Sequence, residues 1–165
     1  MMTDEQLKQL SATTGQLLLQ RRATVTTAES CTGGWIAKVF TDIAGSSAWF
    51  ERAFITYSND AKQQMVGVTE GSLQRWGAVS EQVVQEMAVG ALKEAKADYA
   101  IAVSGIAGPD GGTAEKPVGT VWFAVVSSTG KQLTKSIVFQ GDREAVRRQT
   151  VAVALQILHD DFLKI

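Results

Sequence analysis

The run Tyr99-Ala100-Ile101-Ala102-Val103 has no polar face. A strand with one wet side alternates apolar and polar residues. A strand buried on both sides does not, and it needs helices above and below its sheet. This one run therefore asks the rest of the chain for two layers of helix. Thr3-Asp4-Glu5-Gln6 has the form of a capping box, and Leu7, Leu10, Leu17 and Leu18 follow at helical spacing, predicting a first helix to about residue 20. Thr24-Val25-Thr26-Thr27-Ala28-Glu29 predicts the first strand, and a helix runs from Trp35 to about residue 42. Residues 49–57 read as a second strand, with Ala53-Phe54-Ile55 as a buried run. Ser58 then caps a short helix that Gly67 ends, residues 68–76 form another, and Ser80 caps a long helix with Val83, Val84, Met87, Ala88, Ala91, Leu92 and Ala95 on its apolar face.

The third strand stops at Ser104-Gly105. A loop over 105–119 carries Gly105, Gly108, Gly111, Gly112 and Gly119 and both prolines of the chain. Residues 120–126 and 133–139 predict a hairpin across Ser128-Thr129-Gly130, and Gly141-Asp142 caps a last helix. The order predicts an α/β fold: a three-layer α/β/α arrangement with a mixed, partly parallel sheet, formed by residues 1–165 as one domain.

Composition narrows the function. A formal net charge of −1 points to neither nucleic acid nor a membrane surface. No apolar run approaches the roughly 18 residues needed to span a bilayer. The acidic start Met1-Met2-Thr3-Asp4-Glu5 lacks the basic region of a signal peptide. A single cysteine allows no internal disulfide and fits a reducing, cytoplasmic setting; with a single histidine it also argues against a dedicated zinc site. No metal or cofactor is expected.

In open α/β sheets ligands gather beyond the carboxyl ends of the parallel strands. Three such ends are legible, at Glu29/Ser30, Tyr57/Ser58 and Ser104/Gly105, so one pocket built from all three is expected. Ser30 stands where strand turns to helix, a favoured N-cap position. The amides of Cys31, Thr32, Gly33 and Gly34 would form the positive end of that helix, able to hold a phosphate or the oxyanion formed when Ser30 attacks a carbonyl. The same residues suit a capped turn with no chemistry.

A serine nucleophile needs a proton acceptor. His159 lies near the end of the last helix, far from any strand end, and reads as a surface histidine. Ser–Lys pairs are the alternative, and Lys62 falls in the first turn after Tyr57. A helix N-terminus and partial burial would both disfavour its charged form, and Tyr57 could relay or orient the proton. A solvated lysine and an aromatic packed on the sheet fit the same pattern. Cys31 competes as nucleophile, but without a nearby histidine it reads as a small buried thiol. Glu29 could hydrogen-bond a substrate amide or ribose, or simply face the helix N-termini. The glycine loop permits close backbone approach to a ligand, as a mobile surface lid also would. Arg143 and Arg147, four apart on one helix face, suit a phosphate, whereas Arg148 fits a solvated face.

Taken together, Thr27-Ala28-Glu29-Ser30-Cys31-Thr32-Gly33-Gly34, Tyr57-Ser58-Asn59 with Lys62, Gly77-Ala78-Val79-Ser80, Ser104-Gly105-Ile106-Ala107-Gly108-Pro109, Lys116-Pro117-Val118-Gly119-Thr120-Val121 and Gly141-Asp142-Arg143 run in the order seen in the CinA C-terminal-domain family, which the chain resembles along nearly its whole length. It looks like a stand-alone member rather than the longer two-domain kind. The resemblance implies hydrolysis of nicotinamide mononucleotide to nicotinate mononucleotide and ammonia in pyridine-nucleotide salvage. It matches Ser30 to the proposed nucleophile, Lys62 and Tyr57 to its acid–base partners, and Ser104 with Gly105 and Gly108 to the pocket wall. Glu29, Thr32, Gly33, Gly34, Arg143 and Arg147 complete the expected substrate-binding set. Family membership alone does not settle activity. A hydrolase acting on another amide and a non-catalytic mononucleotide-binding module both remain open. The expected partners are a small-molecule substrate and further copies of the chain in a homo-oligomer.

Overall fold

The computed structural model describes residues 1–164. Its elements in chain order are α1 (Asp4–Gln20), β1 (Val25–Glu29), α2 (Trp35–Thr41), β2 (Phe54–Ile55), α3 (Asn59–Val66), α4 (Glu70–Trp76), α5 (Glu81–Ala95), β3 (Tyr99–Gly105), β4 (Thr120–Ser127), β5 (Gln132–Val138) and α6 (Arg143–Ile157). A short 3-10 turn covers Ser46–Ala48, and a π-helical turn, Leu158–Leu163, continues α6. Local chemistry starts most of these helices. Thr3, Ser58, Thr69, Ser80 and Asp142 each accept a hydrogen bond from a first-turn amide, and Thr3 with Gln6 completes the capping box. Among the described residues no helix is long and apolar enough to cross a membrane.

The sheet order is β2-β1-β3-β4-β5. β1 runs parallel to β2 and to β3, while β4 and β5 add antiparallel strands. The central strand is buried on both sides, as its sequence demands. Ile101 and Val103 face a core shared with Leu7 and Leu18 of α1, Phe40 of α2 and Leu155 of α6. Ala100 and Ala102 face a second core with Val66 of α3, Leu73 of α4 and Val83, Val84 and Met87 of α5. The layers therefore differ in character. Large side chains fill the first, and alanines carpet the second, where α5 can sit close to the sheet.

One expectation here needs correction. The second strand is not 49–57 but only Phe54–Ile55, and its supposed buried run is half open, with Ile55 40% exposed. The cause is a slip at this sheet edge. Phe50 bridges Val25 and Phe54 pairs Ala28, so the edge chain advances four residues against three on β1. The extra residue breaks the ladder, and the Thr26 hydroxyl instead donates to the Arg52 carbonyl at 2.8 Å. β3 does stop at Ser104-Gly105, where the two residues make its last pairs, with Trp122 and Val121 of β4.

Candidate active site

The carboxyl ends of β1, β2 and β3 open onto a cavity of about 340 Å³, within the range of small-molecule sites. Ser30, Tyr57, Lys62, Ser104 and Arg143 line it, with Gly105, Gly108 and other residues of the glycine loop. β1 sets Ser30: its N–H donates to the Val103 carbonyl at 3.1 Å, one step past the last strand pair. Ser58 caps α3 and turns its first residues back over the sheet, which brings Lys62 down onto Ser30.

Lys62 is 1% exposed. Its Nζ lies 2.9 Å from Ser30 Oγ, 2.8 Å from the Thr56 carbonyl oxygen and 3.2 Å from that of Tyr57. Among the described residues no carboxylate pairs with it. Burial lowers its pKa from 10.5 to about 8. The two carbonyls can only accept, so they hold two N–H bonds of the amine. In the neutral amine the remaining lone pair then faces the Ser30 hydroxyl. Cys31, beside Ser30, is the opposite case. Burial pushes its thiol up to about 12, which keeps it protonated and a poor nucleophile near neutrality.

Several predicted residues sit elsewhere or work differently. Ser30 does not cap α2; the N-cap is Gly34, with φ 107° and no side-chain cap. Glu29 takes over that role from the strand side. It is fully buried, and its carboxylate accepts from the Gly34, Ile36 and Ala37 amides and from the Thr27 and Thr32 hydroxyls at 2.7–3.2 Å. The start of α2 is thus already filled by an internal anion. Glu29 and Thr32 are turned to this bond set rather than to the cavity, and neither lines it. The Gly33 N–H donates to the Ser30 carbonyl, so neither glycine amide is left for an oxyanion.

The two arginines part company. Arg143 lines the cavity, donating to the Gly108 carbonyl at 2.7 Å and to the Tyr57 hydroxyl at 3.3 Å. Arg147 stays outside it and holds the Cys31 and Thr32 carbonyls, each at 3.0 Å. It clamps the turn that carries Ser30. Tyr57, 61% exposed as a residue, meets Lys62 through its carbonyl and Arg143 through its hydroxyl. Ser104 is 1% exposed and donates to the Ala78 carbonyl at 2.8 Å. His159 pairs with Asp160, away from the cavity. Sequence reasoning missed the carbonyls of Thr56 and Ala78, since a backbone oxygen leaves no trace in residue type. Among the described residues no three His, Cys, Asp or Glu side chains gather as a metal site.

The family model of the CinA C-terminal domain matches residues 7–162. The chain belongs to that family. A curated relative, nicotinamide-nucleotide amidohydrolase PncC of Escherichia coli K12, is 66% identical over 163 residues, covering 99% of each chain. The protein of the same name from Enterobacter agglomerans is 57% identical, again over 99% of each. Among solved structures, the competence/damage inducible protein of Agrobacterium tumefaciens superposes with a TM-score of 0.92 at 44% identity, covering 96% of this chain and 95% of that one. The match to the CinA C-terminal domain includes every strand and every residue that lines the cavity.

Proposed function

We propose that the chain is a nicotinamide-nucleotide amidohydrolase, converting nicotinamide mononucleotide and water to nicotinate mononucleotide and ammonia. The single observation that carries the mechanism is the buried Lys62 amine 2.9 Å from Ser30 Oγ, with no counter-ion among the described residues. The names of the relatives supply the substrate.

Ser30 Oγ attacks the carboxamide carbon as its proton passes to the neutral Lys62 amine. Charge builds on the carbonyl oxygen. With the Gly33 and Gly34 amides occupied, the Cys31 and Thr32 N–H groups, which follow the nucleophile in the chain, are left as the main-chain donors for it. Collapse expels ammonia, which takes its proton from the Lys62 ammonium. Water then attacks the acyl-serine as Lys62 accepts its proton; the acyl–oxygen bond breaks, Lys62 returns that proton to Ser30 Oγ, and the acid leaves. Tyr57 acts through its carbonyl on Lys62 and through its hydroxyl on Arg143. Arg143 keeps guanidinium hydrogens for the phosphate of the mononucleotide.

Purified protein incubated with nicotinamide mononucleotide in the presence of EDTA should release ammonia and nicotinate mononucleotide in equal amounts. Ser30→Ala should release neither while keeping the fold. Tight mononucleotide binding without ammonia would favour a binding module, and ammonia from other amides alone would favour a different hydrolase.

A further inference from the structure

The Ser104 hydroxyl has one hydrogen, and its partner is fixed. The Ala78 oxygen 2.8 Å away is a backbone carbonyl, which can only accept, so Ser104 must be the donor. Ser104 lines the cavity with its acceptor lone pairs unused: among the described residues no group donates to its Oγ. The oxygen is also well placed. β1 and β3 pair Ala28 with Ala102 and Glu29 with Val103, and the Ser30 N–H bonds to the Val103 carbonyl, so the register continued by one residue sets Ser104 beside Ser30. Neighbouring strands lie about 4.8 Å apart. Both side chains lie on the side of the sheet that Ala28 and Ala102 share, where Lys62 also approaches.

From this geometry we infer that Ser104 is a specificity-determining acceptor that reads the amide nitrogen of the substrate and rejects the product acid. The inference rests on the amidohydrolase reading above. A carboxamide at Ser30 carries two N–H bonds, one of which meets the waiting Ser104 oxygen. The carboxylate formed by hydrolysis has no hydrogen to give. It faces those lone pairs, or it forces the hydroxyl to turn and leave the Ala78 carbonyl unpaired in a buried site. A site built to receive a hydrogen bond discriminates strongly against a ligand that lacks the donor. The same oxygen thus favours binding of the amide and departure of the acid.

The test uses Ser30→Ala protein, which does not consume substrate, and measures the dissociation constants of nicotinamide mononucleotide and nicotinate mononucleotide by calorimetry. The amide is expected to bind at least about tenfold more tightly than the acid, the size expected of one matched against one mismatched buried hydrogen bond. Adding Ser104→Ala should bring the ratio close to one. Ser104→Cys, which keeps the volume but is a weak acceptor, should do the same. Ser104→Thr, which keeps the hydroxyl, should retain the preference. A merely structural role would weaken both ligands alike and leave the ratio unchanged, and that result would overturn the assignment. In wild-type protein, ammonia release together with an unchanged ratio in the variants removes only the role of Ser104. Absence of both ammonia release and mononucleotide binding removes the amidohydrolase reading and this inference with it.

Discussion

Lys62 Nζ stands 2.9 Å from Ser30 Oγ across 32 residues of sequence, and its other two partners are the main-chain carbonyls of Thr56 and Tyr57. With its pKa lowered to about 8 by burial, the amine is mostly charged at pH 7 and mostly neutral at pH 9. In the proposed mechanism the neutral form is the base. Turnover should therefore rise about tenfold per pH unit on the acid side and level off above about pH 8. Lys62→Ala should lower kcat by at least about a thousandfold, and Lys62→Arg should not restore it, because a guanidinium does not deprotonate. A pH–rate profile flat from pH 6 to 9 would argue against this base.

The same burial makes Lys62 a stability term of definite sign. The unfolded chain holds the Lys62 proton up to its ordinary pKa of 10.5, and the folded chain releases it near 8. Between those values the unfolded state binds more protons, so stability rises with pH across that window. Below about 8 both states are protonated, and the folded one carries the whole cost, about 3 kcal/mol at roughly 1.4 kcal/mol per pH unit. Lys62→Met abolishes this dependence. Urea unfolding from pH 6 to 10.5 should show the stability of the variant relative to wild type greatest at the acid end and shrinking as pH rises.

Glu29 anchors the turn that carries Ser30. Its Oε2 accepts from the Thr27 hydroxyl and the Ala37 amide, and its Oε1 from Thr32, Gly34 and Ile36. Glu29→Gln puts an NH2 group against donors on one side or the other. Stability should fall by about 2–4 kcal/mol, a drop of about 5–15 °C in Tm. Thermal unfolding with enzyme assays on the surviving folded fraction checks it. A Tm within 2 °C of wild type would mean the carboxylate is not holding α2.

The fold was largely legible because its evidence is periodic. The two-faced apolar run at Tyr99–Val103, the caps at Thr3, Ser58, Ser80 and Asp142 and the turn at Ser128-Thr129-Gly130 each act on near neighbours in the chain. The second strand misled because an edge strand is governed by its slip against β1, which residue types do not record. In the site, Ser30, Lys62, Ser104 and Arg143 were named from strand ends and helix starts, and the cavity brings them together. Glu29 and Arg147 do not line that cavity, because a charged side chain near a pocket can as well hold the backbone that forms its wall. Only partners far along the chain decide which, as the bonds from Arg147 to Cys31 and Thr32 do.

That distinction separates the two arginines in the test tube. Arg143→Ala removes a cation from the cavity wall and should raise KM for nicotinamide mononucleotide by about tenfold or more with a smaller change in Tm. Arg147→Ala leaves the Cys31 and Thr32 carbonyls without their donor, while Trp35 keeps the Arg148 guanidinium 5.0 Å from its ring centre. It should cost about 1–3 kcal/mol of stability and lower kcat more than it raises KM. The opposite pattern would place the phosphate at Arg147.

Gly90 links the alanine-lined layer to catalysis. It sits in α5 against the end of α3, where an added Cβ would lie 1.8 Å from the Val66 carbonyl oxygen and 2.7 Å from its carbon. Backbone cannot yield as a side-chain tip can, so Gly90→Ala must push α3 away from α5. α3 carries Lys62 at a distance from Ser30 that a shift of 1 Å would spoil. Gly90→Ala should therefore destabilise the fold by about 2–4 kcal/mol and reduce kcat at a temperature where the protein is still folded. Gly71 is the control. It lies in α4 with open space where its Cβ would be, so Gly71→Ala should be neutral or stabilise by up to about 1 kcal/mol with kcat unchanged. Equal effects from the two substitutions would show that the contact between α3 and α5 does not set the position of Lys62.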